Sequence, residues 1–251
     1  MIKILQLLII LSIFINAKEV GQTEITTEEG IEVYQKEKYY LLKKNVEIQS
    51  DNFSLKAQKV KAFFEKDLYD IVDIHSEGDV VLISNKGLEA KGKKIDFNIK
   101  NEDIYIEGEN SFLNNQDFEM KSNQSIKVNN LTGKFKLIGL NSQITTSDTI
   151  IIGSIIDGKY LNVNGENIVQ TLHAEDKTQV NIKTKTLNMF SKKADFDREN
   201  DIIELFEKVK IFREGELITG DYARINTVDE SYYVTSNTTK KVKVLLKRKD
   251  E

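Results

Sequence analysis

An all-β fold of stacked antiparallel strands is what this 251-residue chain predicts, and three observations carry the prediction. The first is a repeat. Blocks built from an apolar pair spaced by two, a short polar turn and a second alternating run open at Asn45, Asp79, Asn110, Asn141, Thr178 and Lys208, 34, 31, 31, 37 and 30 residues apart. The second is the period itself: apolar residues alternate with polar ones, which puts one face of each strand in a core and the other in water. The third is the turn chemistry. With no Pro anywhere, turns rest on Asn, Asp, Gly, Ser and Lys, as in Ser50-Asp51-Asn52, Asn85-Lys86-Gly87 and Asn129-Asn130. No block can bury its apolar face alone, so neighbouring blocks must stack and share one long surface.

Met1 to Lys3 form a short positive start, Ile4 to Ile15 is apolar except at Gln6 and Ser12, and Asn16-Ala17 offers a small residue for cleavage. The apolar stretch is shorter than the roughly 20 residues that cross a bilayer as a helix, so residues 1–17 are read as a secretory signal, an uncleaved anchor being the alternative. No Cys follows it, which excludes lipoprotein processing and leaves the exported protein without disulfides.

Residues 18–251 are enough for a sizeable core. Strands follow in order: Val46 and Ile48, then Phe53, Leu55 and Ala57; Ile95, Phe97 and Ile99, then Ile104 and Ile106; Phe118 and Met120; Ile126 and Val128; Phe135 and Leu137. Val60 to Phe64 could briefly pass for helix. Residues 18–152 make an N-terminal set of repeats. Residues 153–177 break the spacing and are expected to form an irregular connection. The pattern resumes at Val180 and Ile182, Leu187 and Met189, Val209 and Ile211, Leu217 and Thr219, Ala223 and Ile225, so residues 178–251 form a C-terminal set ending in a basic tail. A composition of 39% hydrophobic and 30% charged residues suits an elongated body with much surface per residue.

The segments Glu77 to Leu82 (EGDVVL), Leu88 to Phe97 (LEAKGKKIDF) and above all Lys208 to Val234 resemble the OstA-like periplasmic proteins of lipopolysaccharide transport, the LptA type. Gly215, Leu217, Gly220, Asp221, Ala223 and Tyr233-Val234 stand in that family's places, while Ile225 replaces its Tyr. The resemblance covers most of the chain after residue 17 and is strongest over Lys208 to Lys243. It implies an OstA-like β-jellyroll whose apolar lumen holds the acyl chains of lipid A. It also implies a periplasmic location, passage of lipopolysaccharide from inner to outer membrane, and partners of the same fold at both membranes.

The inward residues expected to line that lumen are Val46, Ile48, Phe53, Leu55, Val80, Leu82, Ile95, Phe97, Ile99, Phe118, Met120, Val128, Val180, Ile182, Met189, Val209 and Ile211. Small neighbours such as Ala57, Ala90 and Ala223 would leave room between them. The same face could be plain core, in which case the chain would be a secreted β-solenoid adhesin or scaffold with no lipid ligand.

Enzymatic readings find little support. His75 and His173 are the two histidines, and His75 is read as a solvated residue at a strand end. No phosphate loop, dinucleotide fingerprint or metalloprotease signature occurs, and acidic neighbours such as Asp195 and Asp197 or Glu102 and Asp103 are expected to solubilise turns. Neither cofactor nor metal is expected. A net charge of −4 is too small to suggest nucleic acid. Acids at one end (Glu19, Glu24, Glu28, Glu29) and bases at the other (Lys240, Lys241, Lys243, Lys247, Arg248, Lys249) favour head-to-tail self-association.

Overall fold

The computed structural model describes residues 23–66, 70–237 and 241–246. The expected export signal over residues 1–17 lies outside them, as do Glu19, Lys240 and the basic residues 247–249 of the tail. Eighteen strands fill the described chain, and no helix occurs among its residues. They are β1 (Glu24–Thr26), β2 (Ile31–Tyr34), β3 (Tyr39–Gln49), β4 (Phe53–Phe64), β5 (Ile71–Ser84), β6 (Glu89–Asn98), β7 (Asp103–Glu107), β8 (Ser111–Asn114) and β9 (Glu119–Ser122). The second half holds β10 (Ser125–Asn129), β11 (Lys134–Thr145), β12 (Ile150–Val163), β13 (Glu166–Lys183), β14 (Asn188–Asp197), β15 (Ile202–Arg213), β16 (Glu216–Asn226), β17 (Tyr232–Thr235) and β18 (Lys243–Leu246). Every pairing is antiparallel, as the alternation predicts.

Each long strand bends midway, and the bends are in register from one strand to the next. β3 pairs with β4 over Tyr39–Lys43 and again over Val46–Gln49, with Lys44 and Asn45 opposing Gln58 alone. The same two-against-one insertion recurs where β5 meets β6, with Gly78 and Asp79 against Lys93. Such bulges bend a strand and strengthen its twist. Repeated along the chain they fold one continuous ladder into two facing sheets. Sheet I holds β2, β17 and segments such as 39–43, 71–77, 134–138, 155–163 and 202–206. Sheet II holds β1, β18 and segments such as 46–49, 80–84, 142–145, 180–183 and 209–213.

The corners explain the repeat. Asn45, Asp79, Asn110, Asn141 and Lys208 all have positive φ, between 49° and 60°. Asn and Asp tolerate that left-handed region best among residues with a side chain. The residues that open five of the six sequence blocks are therefore bulge residues where the chain crosses between sheets. Corners also interrupt the ladder and strand backbone groups, and buried serines answer this. Among the described residues the buried polar ones are Ser76, Ser111, Ser122, Ser125, Ser142 and Ser191, all at or beside corners, and of these the Ser76 hydroxyl has no hydrogen-bond partner. Ser111 donates to Gly108 O at 2.7 Å, Ser142 to Gly139 O at 2.8 Å and Ser191 to Lys193 O at 2.8 Å.

Residues 153–177 are not an irregular connection. They lie in β12 and β13, the longest hairpin, whose turn is Asn164-Gly165. The alternation is diluted there by Gly153, Gly158 and Ser154. Gly158 is required because a Cβ would sit 2.3 Å from Thr171 O and 2.8 Å from the Phe135 ring. The inward faces of both sheets join in one apolar cluster running from Leu42 to Ile225, so the core passes through this hairpin without a break. Val60 to Phe64 is strand, within β4.

Candidate functional site

Because the corners close one side of the roll, the other side is a mouth whose two lips are the hairpin turns of sheets I and II. Between these lips lies a cavity of about 960 Å³, at the upper end of the range of ligand pockets. Its floor is apolar, with Phe118, Ile144, Val169, Leu172, Leu187, Met189, Ala194, Ile203 and Ile225 coming from both sheets. Strand alternation puts these side chains inward and leaves the turns to supply the rim. The rim is polar and rich in hydroxyls: Thr145, Thr146, Ser147, Thr149 and Thr184 on sheet II, Glu166, Asn167, Arg198, Asn226 and Thr227 on sheet I. An apolar trough edged by polar lips matches a molecule with an alkyl body and a hydrated head.

Polar bonds cross the mouth at both ends of this chamber. At one end the Asp117 carboxylate, in the turn between β8 and β9, accepts from Asn167 N at 2.8 Å and Asn167 Nδ2 at 3.0 Å. Beside it the rings of Phe118 and Tyr160 lie 5.1 Å apart. At the other end Glu230 takes a hydrogen bond from Thr186 and pairs with Arg213 at 3.4 Å.

Of the seventeen residues expected to line a lumen, Phe118, Ile182 and Met189 line this chamber. Val46, Ile48, Leu55, Val80, Leu82, Ile95, Met120, Val128, Val180, Val209 and Ile211 are buried in the packed interior on the same inward face. Phe53, Phe97 and Ile99 are partly buried against that cluster, and the rings of Phe53 and Phe97 meet edge-on at 6.2 Å from opposite sheets. Val169, Leu172, Ala194 and Ile203 do line the chamber and were not among the seventeen. Val169 and Leu172 lie in residues 153–177, where the repeat spacing breaks, and Ala194 and Ile203 follow the same alternation as their neighbours. Asp117, Asn167 and Glu230 carry no signal that separates them from ordinary turn residues.

The histidines alternate with buried residues and so lie on the outer face of sheet I. His75 is within β5 and not at a strand end: its ring meets Asp96 of β6 at 2.9 Å and Asp73 at 3.2 Å. His173 repeats the arrangement, with Asp195 of β14 at 2.5 Å. Burial raises the Asp96 carboxyl above its usual range, and the charge of His75 partly offsets this. Cross-strand register explains both contacts, since His75 faces Asp96 and His173 faces Asp195 in the ladders. Among the described residues no three His, Asp or Glu converge to hold a metal ion.

Two bent antiparallel sheets closed at their corners and open at a polar-lipped mouth define an all-β jellyroll with an apolar interior. Residues 24–134 match the family described as the LptA/(LptD N-terminal domain) LPS transport protein. The match falls on the N-terminal half and not on Lys208–Lys243, where the resemblance in sequence looked strongest. Among solved structures, the chain is similar to LptH from Pseudomonas aeruginosa, the LptA homologous periplasmic component of the lipopolysaccharide transport device. The identity is 11% and the TM-score 0.45, over 53% of this chain and 96% of that one. No curated protein matches the chain.

Proposed function

We propose that this protein is a periplasmic lipopolysaccharide-binding protein that holds acyl chains between its two sheets and passes lipopolysaccharide toward the outer membrane. The observation that carries the reading is the apolar interior, unbroken from Leu42 to Ile225 and opening at a chamber with polar lips, and it is supported by the match of residues 24–134 to the LptA-type family. Each methylene removed from water contributes roughly 0.8 kcal/mol, so about ten of them give a micromolar site. Affinity of that order permits both capture and release. In this reading the protein bridges the two membranes by pairing its end strands with partners of the same fold, or with further copies of itself.

The test uses a photoreactive phenylalanine analogue in place of Phe118, which points into the chamber, and of Lys121, which is exposed on the neighbouring strand β9. Lipopolysaccharide is expected to crosslink at Phe118 and not at Lys121. Equal yields at both positions would show that the interior is not the path.

A further inference from the structure

We propose that the chamber is a side-loading site: an amphiphile's alkyl chain enters through the mouth between the two sets of cross-mouth bonds, and the tip of the β12–β13 hairpin is the strap that opens it. This inference rests on the binding reading above and adds the route. Three features of the hairpin carry it. Its tip reaches beyond the point where the ladder shifts register, between Lys159 and Tyr160, so a bulge lies at its base. Above the bulge, Leu161 and Val163 are 44% and 43% exposed, and a Cβ on Gly165 would meet nothing within 4 Å, so the tip itself is lightly packed. Below the bulge Tyr160 is held firmly, donating its hydroxyl to Asn130 at 2.8 Å and its amide to Gly133 O at 2.9 Å.

A lightly packed tip on a fixed base is attached to the opposite lip chiefly by one carboxylate. Asp117 takes both hydrogen bonds from Asn167, and both are partly exposed to water. Charge-assisted bonds of this kind are stronger than neutral ones, yet water can compete for them when they are not buried. The Glu230 bonds at the far end fix the other limit of the port. Between these limits the lips are turns, which move more readily than the strands beneath them. A chain that loads sideways needs only this local opening, whereas threading along the axis would require it to part the packed interior around Ile106, Met120 and Leu137, all fully buried.

The experiment measures how fast the full chain takes up a palmitate analogue bearing a diazirine from phosphatidylcholine vesicles, with photo-crosslinking to Leu187 or Met189 as the readout. Asp117→Ala, which removes both bonds from Asn167, is expected to speed exchange about tenfold, equivalent to about 1.4 kcal/mol. The protein contains no Cys, so an Asp117→Cys, Asn167→Cys pair oxidised to a disulfide is expected to slow uptake about tenfold, with the rate restored on reduction. Uptake at unchanged rates in both variants overturns the side port while leaving binding intact. Failure of the unaltered protein to take up the probe overturns the binding reading and the port together.

Discussion

At the scale of single residues, the contact between Gly133 and Tyr160 shows how tightly the interior constrains identity. Gly133 has φ 69°, and a Cβ there would fall 1.9 Å from Tyr160 O. Gly133→Ala therefore combines an unfavourable backbone region with a backbone clash, and a loss of at least about 2 kcal/mol is expected in urea unfolding. Tyr160 itself is buried, and that burial, with a smaller contribution from the charge of Glu102, pushes its phenol up to about 12. Because the folded value lies above the unfolded one near 10, the neutral phenol's contribution is complete below about pH 10 and is lost as pH rises through about 12. Tyr160→Phe removes this dependence along with the hydrogen bond to Asn130. The wild type should thus exceed the variant in stability at neutral pH, and the gap should close between pH 10 and 12 as tyrosinate forms.

At the scale of elements, the corner decides what could be read in the sequence. Alternation reveals strands because each has one wet face, and the opening Asn or Asp of a block marks a bend because these residues accept a left-handed backbone more readily than other side chains. Asn141 illustrates this, with φ 57° and Ser142 beside it bonded to Gly139 O. Asn141→Val places a β-branched side chain where it is most strained, and about 1–2 kcal/mol of destabilisation is expected from thermal or urea unfolding. A Gly at the same position should be tolerated. The β12–β13 hairpin escaped the sequence because its glycines answer to distant neighbours: Gly158 makes way for the Phe135 ring and Thr171 O, contacts that no local pattern encodes. For the same reason the inward face was legible while the chamber was not. Met120 and Met189 look alike in alternation and are both fully buried, but only Met189 lines the chamber, because the lips part beside one and the core fills beside the other.

At the scale of the whole molecule, the two ends of the roll are edge strands among the described residues, and their chemistry argues for how copies or partners would join. One end presents β2 in sheet I and β1 in sheet II, and the other presents β17 and β18. The N-terminal edge is β2 and β1; Tyr39–Leu42 belongs to β3, which already has neighbours on both sides. Unpaired strands offer backbone donors and acceptors to any matching edge. Here Ile31 and Val33 on β2, and Val244, Leu245 and Leu246 on β18, are all exposed. Charges differ in sign, with Glu24, Glu28, Glu29 and Glu32 near the first end and Lys241 and Lys243 near the second. Joining β17 to β2 and β18 to β1 would continue both sheets, and with them the apolar interior, across the junction, while the charges set a head-to-tail polarity. Ending the chain after Lys241 removes β18 but leaves β16 paired along β15 throughout. The shortened protein is therefore expected to retain its strand circular dichroism and to lack the concentration-dependent rise in light scattering expected of the full chain. Retained assembly in the shortened protein would mean that sheet II plays no part in the junction, and a second deletion, of β1 and β2, would then show whether sheet I alone supports it.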